Sequence, residues 1–357
     1  DRVFTRTIEL VTKKFQYARY TPMLYYEGKI TQPEELAQKN MRKFMKILLL
    51  NPPRVRGQAV VREERYEHRD MGSCYPPLHL LQAAGTLEAK GHEVRVVDAN
   101  GLDLSTQGVL DQLGSWNPQL IYGRVAFDCQ EEDAAAFRDV ARATGAPVFL
   151  RNKILASVPT LKKELLERSG AAAFVEGEAE VVLPELAEAL GSGKGFDKVR
   201  GLTFLNPDLV STAESQRAEP FGDLPGPAYH LLPSLKPYHT GTWHSGRFGL
   251  LALTRGCPFG CTFCAYRQTG YRQMPAKKAV DEMQRLKETV GMDQFLLFDD
   301  IIALKPRYLE EMSELILERH LDIRFVCCTR AELMPRKALE VMKRAGLDGY
   351  GLRDCRH

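Results

Sequence analysis

The sequence lacks the features of a membrane or secreted protein. It contains no run of about 18 apolar residues, so we expect no membrane span. No secretory signal accompanies its eight cysteines, which therefore indicate a reducing cytoplasm rather than a disulfide framework. The net charge of only +3 gives no reason to expect nucleic acid or a membrane surface as a partner. The 357 residues, 44% hydrophobic and 27% charged, have the composition of an ordinary globular protein with room for two domains.

The chain also lacks the paired Cys-x2-Cys units, or a histidine at ligand spacing, that are typical of zinc sites. It has instead three thiols in a Cys-x3-Cys-x2-Cys array: Cys257, Cys261 and Cys264. The apolar run 248–253 before them predicts a strand, and the interspersed glycines and proline predict a loop. A [4Fe–4S] cluster normally takes four cysteines, so an array of three would leave one iron open to an outside ligand. Zinc or purely structural cysteines remain alternatives to a cluster.

This array, with the aromatic Phe263 directly before the last thiol, resembles the signature of the radical S-adenosylmethionine (SAM) family. The resemblance implies that the three cysteines bind a [4Fe–4S] cluster, and that SAM chelates the open iron through its amino and carboxylate groups. It implies a reaction in which an electron from the cluster cleaves SAM to methionine and a 5′-deoxyadenosyl radical. It also implies a small-molecule substrate and a cellular electron donor of the flavodoxin or ferredoxin type.

Residues 45–200 show a strict alternation of strand and helix patterns. Strands are predicted at 46–53, 92–98, 120–127, 147–150 and 171–175. Helices are predicted at 77–90, around 109–113, and at 133–144, 161–168 and 181–190. The alternation predicts an α/β domain with a doubly wound parallel sheet of Rossmann-like type, in which ligands bind beyond the carboxyl ends of the strands.

Short phrases in this domain resemble the cobalamin-binding module that precedes the barrel in the B12-dependent branch of the same family. They are Asn51-Pro-Pro53, Tyr75-Pro-Pro-Leu78, Gly91-His-Glu-Val94 and Gly177-Glu-Ala-Glu180. The resemblance implies cobalamin contacts from residues in or beside these phrases: Asn51, Pro52, His79, Gly177 and Glu178. A plain turn remains an alternative for Gly177, and a structural role for His79.

Two departures from that module bear on cobalamin. The Asp-x-His-x-x-Gly cobalt-ligand motif of the methionine-synthase type is absent. In addition, Leu150-Arg151-Asn152 stands where relatives carry a Gly-Gly pair that lets the backbone approach the cobalamin tail. The side chains of Arg151 and Asn152 leave three alternatives, namely weak cobalamin binding, a different binding mode, or no binding.

Residues 248–357 repeat the β/α pattern and resemble four of the six units of the open radical SAM barrel. Further strands are predicted at 294–298, 323–327 and 349–352, and helices at 276–289, 306–318 and 335–345. Barrel sites lie at the carboxyl ends of the strands, so the resemblance implies SAM contacts from Asp299 and Asp300 after the second strand and from Arg330 after the third. Helix capping ahead of Pro306 is the alternative for the two aspartates, and a solvated surface charge is the alternative for Arg330.

The remaining segments are predicted as an N-terminal extension (1–44) and a linker with one hairpin (201–247). Relatives usually show Gly-Ile-Glu at the fourth barrel strand, whereas this chain has Arg353 in place of the acid, and the pattern stops at residue 357. We therefore expect a truncated barrel. The expected function is cobalamin-dependent methyl transfer to a small molecule, or its radical rearrangement. A cobalamin-free radical SAM enzyme and a non-catalytic remnant with a binding or structural role remain alternatives.

Overall fold

The computed structural model describes residues 24–26, 29–31, 44–63, 68–70, 72–240, 247–262, 264 and 266–353. Phe263, one of the predicted SAM contacts, lies outside these residues. The chain forms two compact units, Asp1–Phe44 and Met45–His357. In the smaller unit, β1 (Leu24–Tyr26) pairs antiparallel with β2 (Lys29–Thr31).

The larger unit opens with β3 (Lys46–Asn51), which is buried from Ile47 onward. Four consecutive apolar residues suit this strand because a central parallel strand is covered on both faces. The long loop after it contains an antiparallel hairpin of β4 (Ala59–Val61) and β5 (His68–Asp70). The strands that follow are β6 (Glu93–Asp98), β7 (Leu120–Arg124), β8 (Val148–Arg151) and β9 (Ala173–Val175).

Strands β3 and β6 to β9 are parallel and lie in the spatial order β9-β8-β7-β3-β6. The helices between and after them are α1 (Leu78–Ala89), α2 (Thr106–Leu113), α3 (Gln130–Thr144), α4 (Lys153–Ala156), α5 (Pro159–Ser169) and α6 (Ala179–Gly191). Side chains of α1 and α6 join the core on one face of the sheet, and those of α2, α3 and α5 join it on the other. The strand order is the 2-1-3-4-5 arrangement of doubly wound sheets, with its switch point between β3 and β7.

The hairpin predicted after residue 200 is confirmed. It consists of β10 (Leu202–Leu205) and β11 (Leu209–Ser211), and β10 pairs antiparallel with β9. The hairpin extends the sheet to seven strands, so the sheet continues into the segment that the sequence assigns to a linker.

A second, four-stranded parallel sheet follows. Its first strand, β12 (Phe248–Leu251), leads into an antiparallel ribbon of β13 (Thr254–Arg255) and β14 (Arg272–Gln273). The other strands are β15 (Gln294–Leu297), β16 (Arg324–Arg330) and β17 (Leu347–Arg353), in the spatial order β12-β15-β16-β17. They alternate with α7 (Ala276–Val290), α8 (Pro306–Glu318) and α9 (Arg336–Arg344). The predicted α/β class with mostly parallel strands is therefore confirmed.

The two sheets share one hydrophobic core, and α1 lies within it. Most of α1 is buried around its whole circumference, which requires apolar or small residues on every side. Gly85 marks the closest approach, because a Cβ at this position would overlap the carbonyl oxygen of Gly226. In the part of the chain that the structure describes, no helix is both long enough and apolar enough to cross a membrane.

Candidate functional site

The three thiols lie in a loop, residues 256–271, that we call the cluster loop. It follows β12, and the β13–β14 ribbon closes its two ends. Gly256 begins the loop at φ +83°, a conformation that side chains disfavour, and a Cβ there would overlap the carbonyl oxygen of Gly270. The residue type at Gly256 is therefore fixed by both backbone conformation and space.

Hydrogen bonds inside the loop hold the thiols in a compact turn. The amide of Cys264 donates to the carbonyl of Cys261 at 3.1 Å, and the amide of Thr269 donates to the carbonyl of Cys257 at 2.9 Å. The amide of Tyr266 donates to the sulfur of Cys264 at 3.4 Å. All three cysteines are half-buried. Amide donation to a cysteine sulfur is one of the interactions that tune iron–sulfur clusters.

Asp299 and Asp300, which follow β15, hold the start of this loop. The Oδ1 atom of Asp299 accepts from the amides of Leu253 (2.8 Å) and Thr254 (2.5 Å), and from the Thr254 hydroxyl (2.9 Å). The Oδ2 atom of Asp300 accepts from the amide of Gly256 at 2.8 Å. The two carboxylates thus join the carboxyl end of β15 to the chain that leads out of β12.

Burial raises the pKa of Asp299 to about 7, although the hydrogen bonds from Thr254 and Leu253 oppose the rise. The helix-capping alternative for the two aspartates is wrong. The N-cap of α8 is Lys305, and no side chain caps that helix.

Arg330, at the end of β16, reaches the same loop. Its guanidinium lies 4.2 Å from the ring centroid of Phe259, and its Nη1 atom is 3.8 Å from the sulfur of Cys261. Its Nε atom donates to Glu332 at 2.6 Å. With 17% of its side chain exposed, Arg330 is not the solvated surface charge of the alternative interpretation.

Two arginines fasten the β13–β14 ribbon to the N-cap residue and the first turn of α6, and we call them the arginine clamp. Arg255 forms an ion pair with the buried Glu180 and lies 3.5 Å from Glu178. Arg272 forms an ion pair with Glu178. Both guanidinium groups also lie against the Phe221 ring, at 5.0 and 5.9 Å. The cluster loop is thereby attached to the carboxyl edge of the first sheet.

The clamp determines the ionisation of its two glutamates. Burial alone would raise the pKa of Glu178, but the hydrogen bond from Arg272 and the charge of Arg255 hold that pKa below its usual value. Burial acts on Glu180 in the same way, and Arg255 again lowers the pKa overall. Both carboxylates are therefore stabilised in the charged form.

A cavity of about 560 Å³ lies between the carboxyl edge of the first sheet and the cluster loop. Four of the predicted site residues line it: His79, Gly177, Glu178 and Asp300. On the side of the second sheet, the cavity is lined by Gly256 and Tyr266 of the cluster loop. Its position agrees with the rule that ligands of doubly wound sheets bind beyond the carboxyl ends of the strands.

The predicted cobalamin contacts have different surroundings. The Nδ1 atom of His79 forms a hydrogen bond with the buried carboxylate of Glu63, which fixes the orientation of the ring. Gly177 approaches Ser215 so closely that a Cβ would overlap that side chain. The carboxylate of Glu178 is held by the arginine clamp.

Asn51 and Pro52 belong to a buried polar network instead. Asn51 donates to Asp98 at 2.8 Å, and Arg62 donates to the carbonyl of Pro52 at 3.3 Å. Arg62 in turn forms a buried ion pair with Asp133 at 2.7 Å. Neither Asn51 nor Pro52 is among the residues that line the 560 Å³ cavity.

Arg151 stands at the end of β8 and lines the cavity. Its Nη1 atom donates to three consecutive carbonyl oxygens at the end of β9, those of Val175, Glu176 and Gly177. Asn152 is fully buried and caps α4, because its Oδ1 atom accepts from the amide of Leu155 at 2.8 Å. The side chain of Arg151 therefore occupies the edge where a glycine pair would leave the backbone open.

The sequence interpretation missed the arginine clamp. Arg255 stands two residues before the first thiol, directly after an apolar strand. A charged residue at this position signals a partner, but local sequence patterns cannot identify which residue that partner is. Its partners Glu178 and Glu180 come more than 70 residues earlier in the chain. Glu63 was missed for the same reason, since its contact with His79 spans 16 residues.

Within the described residues, no group of three or more His, Cys, Asp or Glu side chains is placed to hold a single metal ion. A cluster differs from a single ion in this respect, because each cysteine of an iron–sulfur site binds a different iron. The cluster loop brings three half-buried thiols together with amide and guanidinium donors beside the sulfurs, and this donor set fits such a cluster.

Residues 251–353 match the family model described as the radical SAM superfamily. The chain is 27% identical over 312 residues to the uncharacterized methyltransferase PH0819 of Pyrococcus horikoshii. The aligned region covers 85% of this chain and 64% of that protein. The chain is also 27% identical over 324 residues to the anaerobic magnesium-protoporphyrin IX monomethyl ester cyclase of Synechocystis, with 86% and 60% covered. The chain therefore spans less than two thirds of these relatives.

One solved structure with a similar fold is the radical SAM methyltransferase TsrM from Kitasatospora setae, described with cobalamin and a [4Fe–4S] cluster bound. The TM-score is 0.64 and the sequence identity 21%, over 86% of this chain and 58% of TsrM. At this identity the likeness establishes the fold.

Proposed function

We propose that the protein is a radical SAM enzyme that binds a [4Fe–4S] cluster through Cys257, Cys261 and Cys264, because residues 251–353 match the radical SAM superfamily model. The observation that carries the proposal is the cluster loop, in which three half-buried thiols at family spacing follow the first strand of a parallel β/α sheet. The finer fold assignment is part of the proposal. It comprises a B12-binding-type domain over residues 45–200, which the β10–β11 hairpin of the 201–247 linker segment extends, and β/α units of a radical SAM barrel over 248–357.

The chain's own residues hold and orient the loop. The three thiols are the ligands, and Asp299 and Asp300 fix the chain that leads into them through its amides. We assign contacts with SAM to Asp300, Arg330 and Phe263, and a positioning role to Asp299. When bound, the cluster supplies the electron that cleaves SAM, which yields methionine and a 5′-deoxyadenosyl radical.

We place cobalamin in the 560 Å³ cavity, against His79 and Gly177. The support is the position of the cavity at the carboxyl edge of the first sheet, together with its shared wall with the cluster loop. The arginine clamp keeps that wall in place by joining the two sheets. The proposed reaction is methyl transfer to a small molecule, or its radical rearrangement, with cobalamin as the carrier of the methyl group.

Arg151 favours a second candidate, a radical SAM enzyme that does not use cobalamin. Its guanidinium covers the carbonyl groups at the end of β9, so less of the backbone at this edge is open to a corrinoid. The two candidates share the cluster and the cleavage of SAM, and they differ in the occupant of the cavity.

The test is anaerobic reconstitution with iron and sulfide, followed by a SAM cleavage assay under dithionite with and without hydroxocobalamin. The proposal predicts 5′-deoxyadenosine from the wild-type chain and none from a variant with all three cysteines changed to alanine. The matched control is Cys328→Ala, which removes a half-buried thiol of β16 that is not part of the Cys-x3-Cys-x2-Cys array. Cleavage that proceeds without any bound corrinoid supports the second candidate, whereas a cluster that never cleaves SAM contradicts both.

We further propose a low-potential donor of the flavodoxin or ferredoxin type as the source of the electron, and a small molecule as the substrate. The expected location is a reducing cytoplasm, because the three ligand thiols have to stay unoxidised.

A further inference from the structure

Arg330 brings a fixed positive charge to the sulfur side of the cluster loop. Its Nη1 atom lies 3.8 Å from the sulfur of Cys261, within the range of a weak hydrogen bond to sulfur. Its guanidinium also lies 4.2 Å from the ring centroid of Phe259, which stands between the first two thiols. One side chain therefore contacts the loop at two points, one of them a cluster ligand.

The position of this charge is determined by its surroundings rather than by solvent. The Nε atom of Arg330 donates to Glu332 at 2.6 Å. This bond fixes the orientation of the guanidinium, and its Nη1 atom contacts the sulfur of Cys261. The backbone of Arg330 pairs with β17 at the end of β16. Only 17% of the side chain is exposed, so water screens its charge less than that of a surface arginine.

A cation near a cluster ligand affects the equilibrium between the two redox states. Reduction adds one electron, taken from dithionite in vitro, and makes the cluster and its thiolates one unit more negative. A nearby positive charge stabilises that state, and hydrogen bonds to the sulfurs act in the same direction. We propose that Arg330 raises the reduction potential of the cluster through Cys261. This role rests on the proposed function and is distinct from a contact with the SAM carboxylate.

The test compares Arg330→Gln and Arg330→Lys with the wild type in redox titrations followed by electron paramagnetic resonance, without SAM. At a fixed ambient potential, we expect the ratio of reduced to oxidised cluster in Arg330→Gln to fall about tenfold, equivalent to about 59 mV for a one-electron couple. Arg330→Lys keeps the charge but loses the planar fork and the stacking on Phe259, so its potential should lie between the other two. Arg336→Gln removes an equal charge from an exposed position on α9 and should leave the potential unchanged.

Iron and sulfide per chain are measured on each sample, so that loss of the cluster is separated from a change in its potential. A cluster that assembles fully in Arg330→Gln with the wild-type potential overturns the inference and leaves the proposed function intact, even if SAM binds more weakly. If Arg330→Gln does not assemble, the equally uncharged Arg330→Met is titrated in its place, and a wild-type potential in that variant overturns the inference. A wild-type chain that assembles no [4Fe–4S] cluster overturns the proposed function and this inference with it.

Discussion

A single buried carboxylate, that of Asp299, organises the approach to the thiols. It is 1% exposed, and it accepts two backbone amides and one hydroxyl from Leu253 and Thr254. Backbone amides that are buried without an acceptor are costly, so this carboxylate determines where the chain leaves β12. Its function at the site is therefore exerted through the backbone of the loop.

We predict that Asp299→Ala lowers the free energy of unfolding by about 2 kcal/mol or more, because two buried amides lose their acceptor. Asp299→Asn is the matched control, since its amide oxygen can accept the same bonds in a side chain of nearly equal size. Denaturant unfolding monitored by circular dichroism measures both variants. An alanine variant as stable as the asparagine variant would show that the hydrogen bonds contribute nothing.

The raised pKa of Asp299 gives a prediction about pH. Burial raises that pKa from 3.8 to about 7, so between these values the folded state keeps a proton that the unfolded state has lost. This group therefore makes the protein less stable as pH rises through that window, by up to about 1.4 kcal/mol per pH unit. Asp299→Asn does not titrate, so its stability relative to the wild type should grow from pH 4 to 7 and level off above. A constant difference across this range would contradict the assignment.

The residues of the site differ in how far the sequence reveals them. Cys257, Cys261 and Cys264 are recognisable because their spacing is local. The bond between His79 and Glu63 and the ion pair between Arg255 and Glu180 join residues that are distant in the chain, and no local pattern identifies such partners. The same limit applies to Asp299, whose position after a strand was predictable but whose backbone partners were not.

At the scale of elements, the short β13–β14 ribbon converts a flexible Gly-rich stretch into a closed loop. The ribbon pairs Thr254 with Gln273 and Arg255 with Arg272, so both ends of the cluster loop meet. The arginine clamp then attaches this ribbon to the N-terminal end of α6. Loop closure and clamp together place the thiols at the carboxyl edges of both sheets.

Gly256→Ala should prevent normal closure of the cluster loop, because a Cβ at this position overlaps the carbonyl oxygen of Gly270. Gly291→Ala is a matched control. Gly291 also has a positive φ, +72°, but a Cβ there meets nothing within 4 Å. We expect reconstituted Gly256→Ala to lose most of its iron and sulfide while Gly291→Ala keeps them. Equal iron content in the two variants would contradict the role given to closure.

Removing Arg255 should leave Glu180 buried without its charge partner. The two side chains are 14% and 4% exposed, and breaking one partner of a buried ion pair costs about 3–5 kcal/mol. We therefore expect Arg255→Gln to destabilise the protein by about 3 kcal/mol at pH 7, against about 0–1 kcal/mol for the exposed Arg336→Gln.

The effect of Arg255→Gln should depend on pH in a defined direction. Burial opposes the charged form of Glu180, but Arg255 lowers its pKa overall, so the stabilisation is present above the unfolded value of 4.5 and is lost as pH falls through the lower folded value. Denaturant unfolding at pH 7 and in acid measures this. A destabilisation that stays constant into acid would show that packing, and not charge, accounts for the loss.

The strands and helices were predictable because their apolar periods are local, and α8 begins and ends at the predicted residues. Two features were not. The sheet continues into β10 and β11 because β10 finds its partner in β9, a pairing that hairpin signals cannot reveal. The second feature is the short helix α4, which depends on the Asn152 cap. From the sequence, Asn152 is only a side chain in the place of a glycine pair, and no helix is predicted there.

For the whole molecule, the relevant feature is that the two parallel sheets direct their carboxyl edges into one cavity. Four residues predicted from three separate motifs line this cavity together, namely His79, Gly177, Glu178 and Asp300. The shared core around α1 and the arginine clamp keep the two edges in register. This arrangement suits chemistry in which one ligand on the first sheet meets another on the cluster loop, which is the basis of the proposed function.

The most direct test of the central claim, a cluster with one iron open to SAM, is electron paramagnetic resonance of the dithionite-reduced, reconstituted chain before and after SAM is added. The account predicts about four irons per chain, a reduced-cluster signal, and a change in that signal on addition of SAM, because the cofactor binds the open iron. A reduced cluster whose signal is identical with and without SAM, or a chain that takes up zinc and no cluster, would contradict it.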